Sequence, residues 1–186
     1  MTIKLMVYGS LLNPGSASAG IGRAIEPENY HDIQITGYAL NFNVLETVIV
    51  SRKELQVCFL NLTEDENMTL QAKYLLISED ELQRLMVREK NYHLINVKNS
   101  CSPCFYTDIL TFVGTPEHLI SPKDKPLILE RYIRKITKGV QLLNSSFAKD
   151  FLSCLEETLK GSQVILGDYR FSSPLQNSMT DYIEAR

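Results

Sequence analysis

Two short runs in this 186-residue chain carry the residue types that acid–base chemistry at a carbonyl group needs. The first is Arg88-Glu89-Lys90-Asn91-Tyr92, with Glu89 at the C-terminal end of an expected helix. That end of a helix disfavours negative charge, and burial would push the carboxyl the same way. Both effects move it towards a pKa from which it could shuttle a proton at neutral pH. A surface glutamate paired with Arg88 or Lys90 fits the same residues, and both readings stay open. The second run is Tyr8-Gly9-Ser10-Leu11-Leu12, a strand end that turns sharply at Gly9. Successive amides in such a turn can converge on a carboxylate or on a developing oxyanion. A plain tight turn has the same sequence.

Other chemistries lack essential parts. Gly15-Ser-Ala-Ser-Ala-Gly20 has the glycine spacing of a phosphate loop, but Ile21-Gly22 stands where lysine and a hydroxyl residue are required. Cys101-Ser-Pro-Cys104 is half of a zinc site without a second cysteine pair or a nearby histidine pair. Cys58 and Cys154 sit among apolar neighbours and read as core residues. His31, His93 and His118 share no ligand spacing. No metal and no organic cofactor is expected.

These runs need a scaffold, and the composition supplies one. The chain is 44% hydrophobic and 22% charged with a formal net charge of −3, within the range of an ordinary globular domain. The basic residues Arg131, Arg134, Lys135 and Lys138 alternate with Tyr132, Ile133 and Ile136, as on the solvated face of an amphipathic helix. No nucleic-acid partner is therefore expected. No apolar run is long enough to span a bilayer, and the first residues read directly into a strand without a signal-peptide pattern. The expectation is a cytoplasmic protein with no membrane partner.

Along the chain, residues 3–8 read as a strand, and the Gly/Ser/Ala-rich 13–23 as a loop. Further strands are expected at 31–40, 42–50, 55–62 and 69–77, with a polar hairpin-like turn at 63–67. Ser78-Glu-Asp-Glu81 is a capping box that starts a helix ending near Arg88. Strands follow at 92–97 and 104–113, then a loop punctuated by Pro116, Pro122 and Pro126. Helices are expected at 127–138 and 146–160, the second with Phe147, Phe151, Leu155 and Leu159 on one face. Strands lead and helices finish, which predicts an α+β domain.

In this order and spacing, the two runs resemble the γ-glutamylcyclotransferase superfamily. Its members open on a strand ending in Tyr-Gly-Ser and carry an essential glutamate in a later Arg-Glu…Tyr segment. Thr36-Gly37-Tyr38-Ala39-Leu40-Asn41-Phe42 is similar to the family's next strand. Leu110-Thr-Phe-Val-Gly-Thr115 and the following loop and helix are similar to the glutathione-specific ChaC-like branch. The resemblance implies a small mixed β-barrel or curled sheet with packed helices. It places that domain at 1–162, with 163–186 as a C-terminal extension.

The implied activity is intramolecular. The α-amine of a γ-glutamyl compound attacks its own γ-carbonyl, closing 5-oxoproline and releasing an amine or amino acid, with no cofactor. The resemblance makes Glu89 the proton shuttle, and Gly9, Ser10 and Leu11 the holders of the glutamyl group, with Tyr8 shaping the pocket. The partner is a small γ-glutamyl substrate. The same fold with altered catalysis, serving as a small-molecule-binding or regulatory protein, is the alternative. Where the ChaC-like branch has Arg-Glu-Lys-Gly-Gly-Tyr-Arg, this chain has Arg88-Glu89-Lys90-Asn91-Tyr92-His93, and Phe112 replaces a tyrosine. These departures leave the leaving group open between cysteinyl-glycine and another amine or peptide.

Overall fold

A computed structural model describes residues 2–121 and 124–180. Met1, Pro122 and the last six residues of the 163–186 extension lie outside the described residues. In chain order the elements are β1 (Ile3–Val7), α1 (Pro14–Ile21), β2 (His31–Val50), β3 (Lys53–Ile77), α2 (Glu79–Arg88), β4 (Tyr92–Asn96), β5 (Cys101–Ser102), β6 (Ile109–Gly114), β7 (Leu127–Leu129), α3 (Glu130–Gln141), α4 (Ser145–Leu159), β8 (Gln163–Ile165), β9 (Tyr169–Phe171) and α5 (Pro174–Ser178).

The main sheet runs β4-β6-β1-β3-β2-β5, with β9 also on β2. β1 and β6 are parallel, and the remaining pairs of this sheet are antiparallel. The path does not return on itself, so the sheet curls without closing. This is the mixed α+β architecture expected from the sequence. α4 packs across β2 and β3, and α3 lies against both α4 and the turn that follows β1. Phe42, Leu60 and Ile136 are at most 1% exposed in the core between these layers. Truncating a buried phenylalanine such as Phe42 costs about 3–5 kcal/mol.

Several expected boundaries are wrong, each for a physical reason. Strands 31–40 and 42–50 are one strand, as are 55–62 and 69–77. The chain reverses instead at Ser51 and Arg52, whose φ values of 49° and 70° suit a two-residue hairpin turn. The polar 63–67 is an exposed, irregular stretch of β3. Between Thr36↔Thr69 and Tyr38↔Glu64 the register shifts, and the extra β3 residues bulge out. Their polarity reports exposure and not a reversal.

The 13–23 loop is largely helix α1. Asn13 caps it by accepting from the Ser16 amide at 3.1 Å, Pro14 occupies the first turn, and the chain leaves at Gly22. Low intrinsic propensity is overridden because small side chains let α1 lie close to α2. The helix expected at 127–138 begins as strand β7, and α3 continues through Gly139 to Gln141. β7 pairs in parallel with β8, and only β6 remains of the strand expected at 104–113. The 78–88 capping box forms as read, with Ser78 and Glu81 bonded reciprocally at 3.2 and 2.7 Å.

Candidate active site

β1 delivers the chain to Tyr8, and a single 3-10 turn then occupies Gly9–Leu12. The first amides of such a turn have no partner within it, and no side chain caps it. The Tyr30 hydroxyl fixes the turn by donating to the Leu11 carbonyl at 2.8 Å. Gly9 has φ +62°, and a Cβ there would lie 3.0 Å from the Tyr132 hydroxyl oxygen. Backbone strain and this close approach both demand glycine.

Glu89 is the C-terminal cap of α2, where the chain turns into β4; its amide donates to the Leu85 carbonyl at 2.8 Å. Its side chain is 18% exposed. Burial raises its carboxyl above the ordinary value of 4.5, and the Arg88 guanidinium opposes that rise. Arg88 Nε stands 3.1 Å from Glu89 Oε1 without hydrogen-bond alignment, so the contact is an ion pair. The rest of the guanidinium is committed to the 8–11 loop and α1. Nη1 donates to the Ser16 carbonyl at 2.9 Å, and Nη2 to Ser10 Oγ at 2.9 Å and Ser16 Oγ at 3.0 Å. Gly20 leaves room for it, since a Cβ there would meet Nη1 at 2.5 Å.

Tyr8, Gly9, Ser10, Leu11 and Glu89 line one cleft of about 350 Å³, including its open mouth. Three further tyrosine and phenylalanine residues complete it. The Tyr8 hydroxyl donates to the Phe112 carbonyl at 2.7 Å and that of Tyr92 to the Leu60 carbonyl at 2.9 Å. The Leu60 amide donates to the Tyr132 hydroxyl oxygen at 3.4 Å. Burial raises the pKa of all three tyrosines, and the negative charge of Glu89 adds to each. They therefore surround the carboxylate as neutral hydroxyls. Phe112 also lines the cleft, and its carbonyl anchors Tyr8.

A second chamber of about 500 Å³, again counting its open mouth, shares Ser10, Glu89, Tyr92 and Tyr132 with the first. Glu89 thus lines both spaces, the first termed the inner chamber and the second the outer. The outer wall brings Phe59 from β3 against Tyr169 and Phe171 of β9, with ring centroids 6.1 and 5.6 Å from Phe59. Glu46 is 8% exposed there. It accepts from Asn91 Nδ2 at 2.8 Å and lies 3.2 Å from Lys90 Nζ.

Tyr132 and the outer wall are the residues that sequence reasoning missed as site members. Tyr132 was visible only as an apolar position between basic residues. Those basic residues do form an ion-paired surface in part, with Arg131 bound to Asp168 at 2.6 Å and Arg134 paired with Glu130. Elsewhere, Cys101 donates to the Val97 carbonyl, and burial pushes its thiol up to about 11, while Cys104 is exposed. His31 stacks on Tyr74 and His118 contacts Thr115; neither lines the chambers. Among the described residues, no helix is long and apolar enough to cross a membrane.

Neither a family model nor a curated protein sequence matches the chain. Solved structures do match. A γ-glutamyl cyclotransferase superposes with a TM-score of 0.57 at 14% identity, over 96% of this chain and 98% of that one. The chain has the γ-glutamyl cyclotransferase fold. The human uncharacterized protein loc79017 gives 0.56 at 15% identity, over 97% and 99% of the two chains. YkqA from Bacillus subtilis gives 0.64 at 18% identity, and this chain spans 87% of itself but 56% of that longer protein. In the cyclotransferase fold as this chain builds it, the β1 turn and the end of α2 converge from opposite ends of the first 90 residues. The cleft lies between them.

Proposed function

We propose that the chain is a γ-glutamyl cyclising enzyme that releases 5-oxoproline. One observation carries this reading: a buried carboxyl with a raised pKa, Glu89, shares a cleft with the amide turn at 9–11. The glutamyl arm would lie in the inner chamber, its α-carboxylate or developing oxyanion against the turn amides. Glu89 takes a proton from the substrate ammonium, freeing the nitrogen lone pair to attack the γ-carbonyl carbon. The new C–N bond closes a five-membered ring, and the old C–N bond breaks as Glu89 returns the proton to the departing nitrogen. The ring nitrogen sheds a second proton, which the released amine takes up as its ammonium form, so atoms and protons balance without a co-reactant. Both reacting groups already belong to one molecule, so positioning alone contributes much of the acceleration.

Arg88 acts as a positioning residue. It holds Glu89 by charge and the turn through Ser10, which fixes the shuttle relative to the turn. Its charge also opposes the rise in the Glu89 pKa and so favours the ionised form that accepts a proton. The test is incubation with a panel of γ-glutamyl compounds, followed by detection of 5-oxoproline. The wild type should release it, and Glu89→Gln should not, because the amide cannot shuttle the proton. Release by Glu89→Gln at the wild-type rate would remove Glu89 from the mechanism.

A further inference from the structure

The inner chamber accounts for the glutamyl arm and leaves the outer chamber without a role. Its polar groups are mostly engaged with one another. Glu46 is held by Asn91 and Lys90, and Lys135 Nζ donates to the Thr180 carbonyl at 3.0 Å. What the wall offers a ligand is therefore mainly aromatic surface. Phe59, Tyr169 and Phe171 form one packed group, with the Tyr169 and Phe171 rings perpendicular at 5.6 Å. Phe59 also meets Tyr132 edge-on at 4.7 Å, which joins this group to the hydroxyl-lined inner chamber.

One acceptor stands in the same wall. Gln176 of α5 is 7% exposed, and its Nε2 donates to the Arg88 carbonyl at 3.2 Å. A carbonyl can only accept, so this bond fixes the amide orientation and leaves Oε1 on the other side. Oε1 is buried and has no partner among the described residues. Leaving such an oxygen unmatched is unfavourable, and a donor on a bound molecule would relieve it.

We infer that the outer chamber receives the leaving group, and that it selects a primary amine carrying an aromatic or large branched apolar body. The inference rests on the cyclising reading only for which end of the substrate enters. Glu89 lines both chambers, so a glutamyl arm in the inner one, with its scissile nitrogen at Glu89, places the substituent of that nitrogen in the other. The aromatic rings cover the apolar body, and Gln176 Oε1 takes a hydrogen from the amide or amine. Cysteinyl-glycine, small and ending in a carboxylate, gains little from this wall. Aromatic amino acids and arylalkylamines share the required chemistry. Tyr169, Phe171 and Gln176 all come from the segment after α4, so that segment sets the specificity.

The experiment compares kcat/KM for γ-glutamyl-phenylalanine, γ-glutamyl-phenethylamide, γ-glutamyl-alanine and glutathione. The two aromatic conjugates should exceed the other two by about tenfold or more. Tyr169→Ala should reduce the ratio of γ-glutamyl-phenylalanine to γ-glutamyl-alanine, mainly through KM. Phe171→Leu, which keeps an apolar filler, gives the same reading if the first variant folds poorly. The two aromatic conjugates differ only in the α-carboxylate, so their ratio reports whether an amino acid or a plain amine is preferred. Calorimetric binding of the same compounds to Glu89→Gln separates recognition from turnover. Turnover without preference overturns this inference and leaves the cyclising activity standing. Preferential binding to Glu89→Gln, with no 5-oxoproline released by the wild type from any compound, upholds the chamber and overturns the reaction. Binding without preference in Glu89→Gln overturns the chamber.

Discussion

Around the inner chamber, polar groups are fastened to the backbone of distant elements. Tyr8 reaches a β6 carbonyl, Tyr92 a β3 carbonyl and Tyr30 the turn itself, while Arg88, on the side of the outer chamber, ties Ser10 of that turn to a carbonyl of α1. Around the outer chamber the wall is ring against ring, its carboxylate is tied by side chains, and Gln176 Oε1 has no partner among the described residues. Backbone-anchored hydrogen bonds hold geometry to fractions of an ångström, which proton transfer and ring closure require. Stacked rings fix shape and polarity but tolerate exchange of one apolar group for another. The contrast separates the half of the site suited to chemistry from the half suited to recognition.

If that separation holds, changes in the inner chamber alter all γ-glutamyl compounds in parallel, and changes in the outer one alter their ranking. The largest expected effect is Glu89→Gln, which should lower 5-oxoproline release by about 10²–10⁴-fold for every substrate. In the wild type, kcat/KM should fall on the acid side with an apparent pKa above 4.5, because Glu89 must be ionised to accept the proton and burial raises its pKa. A pH–rate profile checks this, and the limb should vanish in Glu89→Gln.

Arg88→Met comes next. It removes the charge that opposes the rise in the Glu89 pKa, so the acid limb should move further up in pH. Breaking this buried ion pair and its bonds to Ser10 and Ser16 should also cost about 3–5 kcal/mol in urea unfolding. Asn91→Ala probes the outer side. It strips the 2.8 Å bond from the buried Glu46 carboxylate and should destabilise by about 1–3 kcal/mol. Its effect on turnover should differ between leaving groups; a uniform loss would break the proposed division. Gly9→Ala is expected to cost about 1–2 kcal/mol from the left-handed backbone. It also pushes on the Tyr132 hydroxyl, so kcat should fall in parallel for all substrates.

The parts of this architecture legible in the sequence are those governed by neighbours along the chain. The Ser78 and Glu81 capping box, the helix to Arg88 and the apolar face of α4 depend on contacts three or four residues apart. Glu89 and the 8–11 run could be singled out because a helix end and a glycine turn are local events. The α1 caps were present as Asn13-Pro14 and Gly22, but the low helix propensity of the Gly/Ser/Ala stretch masked them. The continuity of β3 through 63–67 was not legible, since it depends on pairing with distant β2 on either side of the bulge, at Thr63 and Glu64 before it and from Thr69 after it.

Only the folded chain decides what stands on either side of Glu89. Gln176 lies 88 positions from Arg88 in sequence, Tyr132 meets the Leu60 amide across 72, and β9 reaches β2 from the far end of the chain. Such contacts depend on the curl of the sheet and on where the helices land upon it, and no local pattern encodes either. The sequence determined a carboxylate at a helix end and a glycine turn after the first strand. Tertiary structure decided that they share a cleft, that burial raises the carboxyl pKa, and that an aromatic chamber opens beyond it.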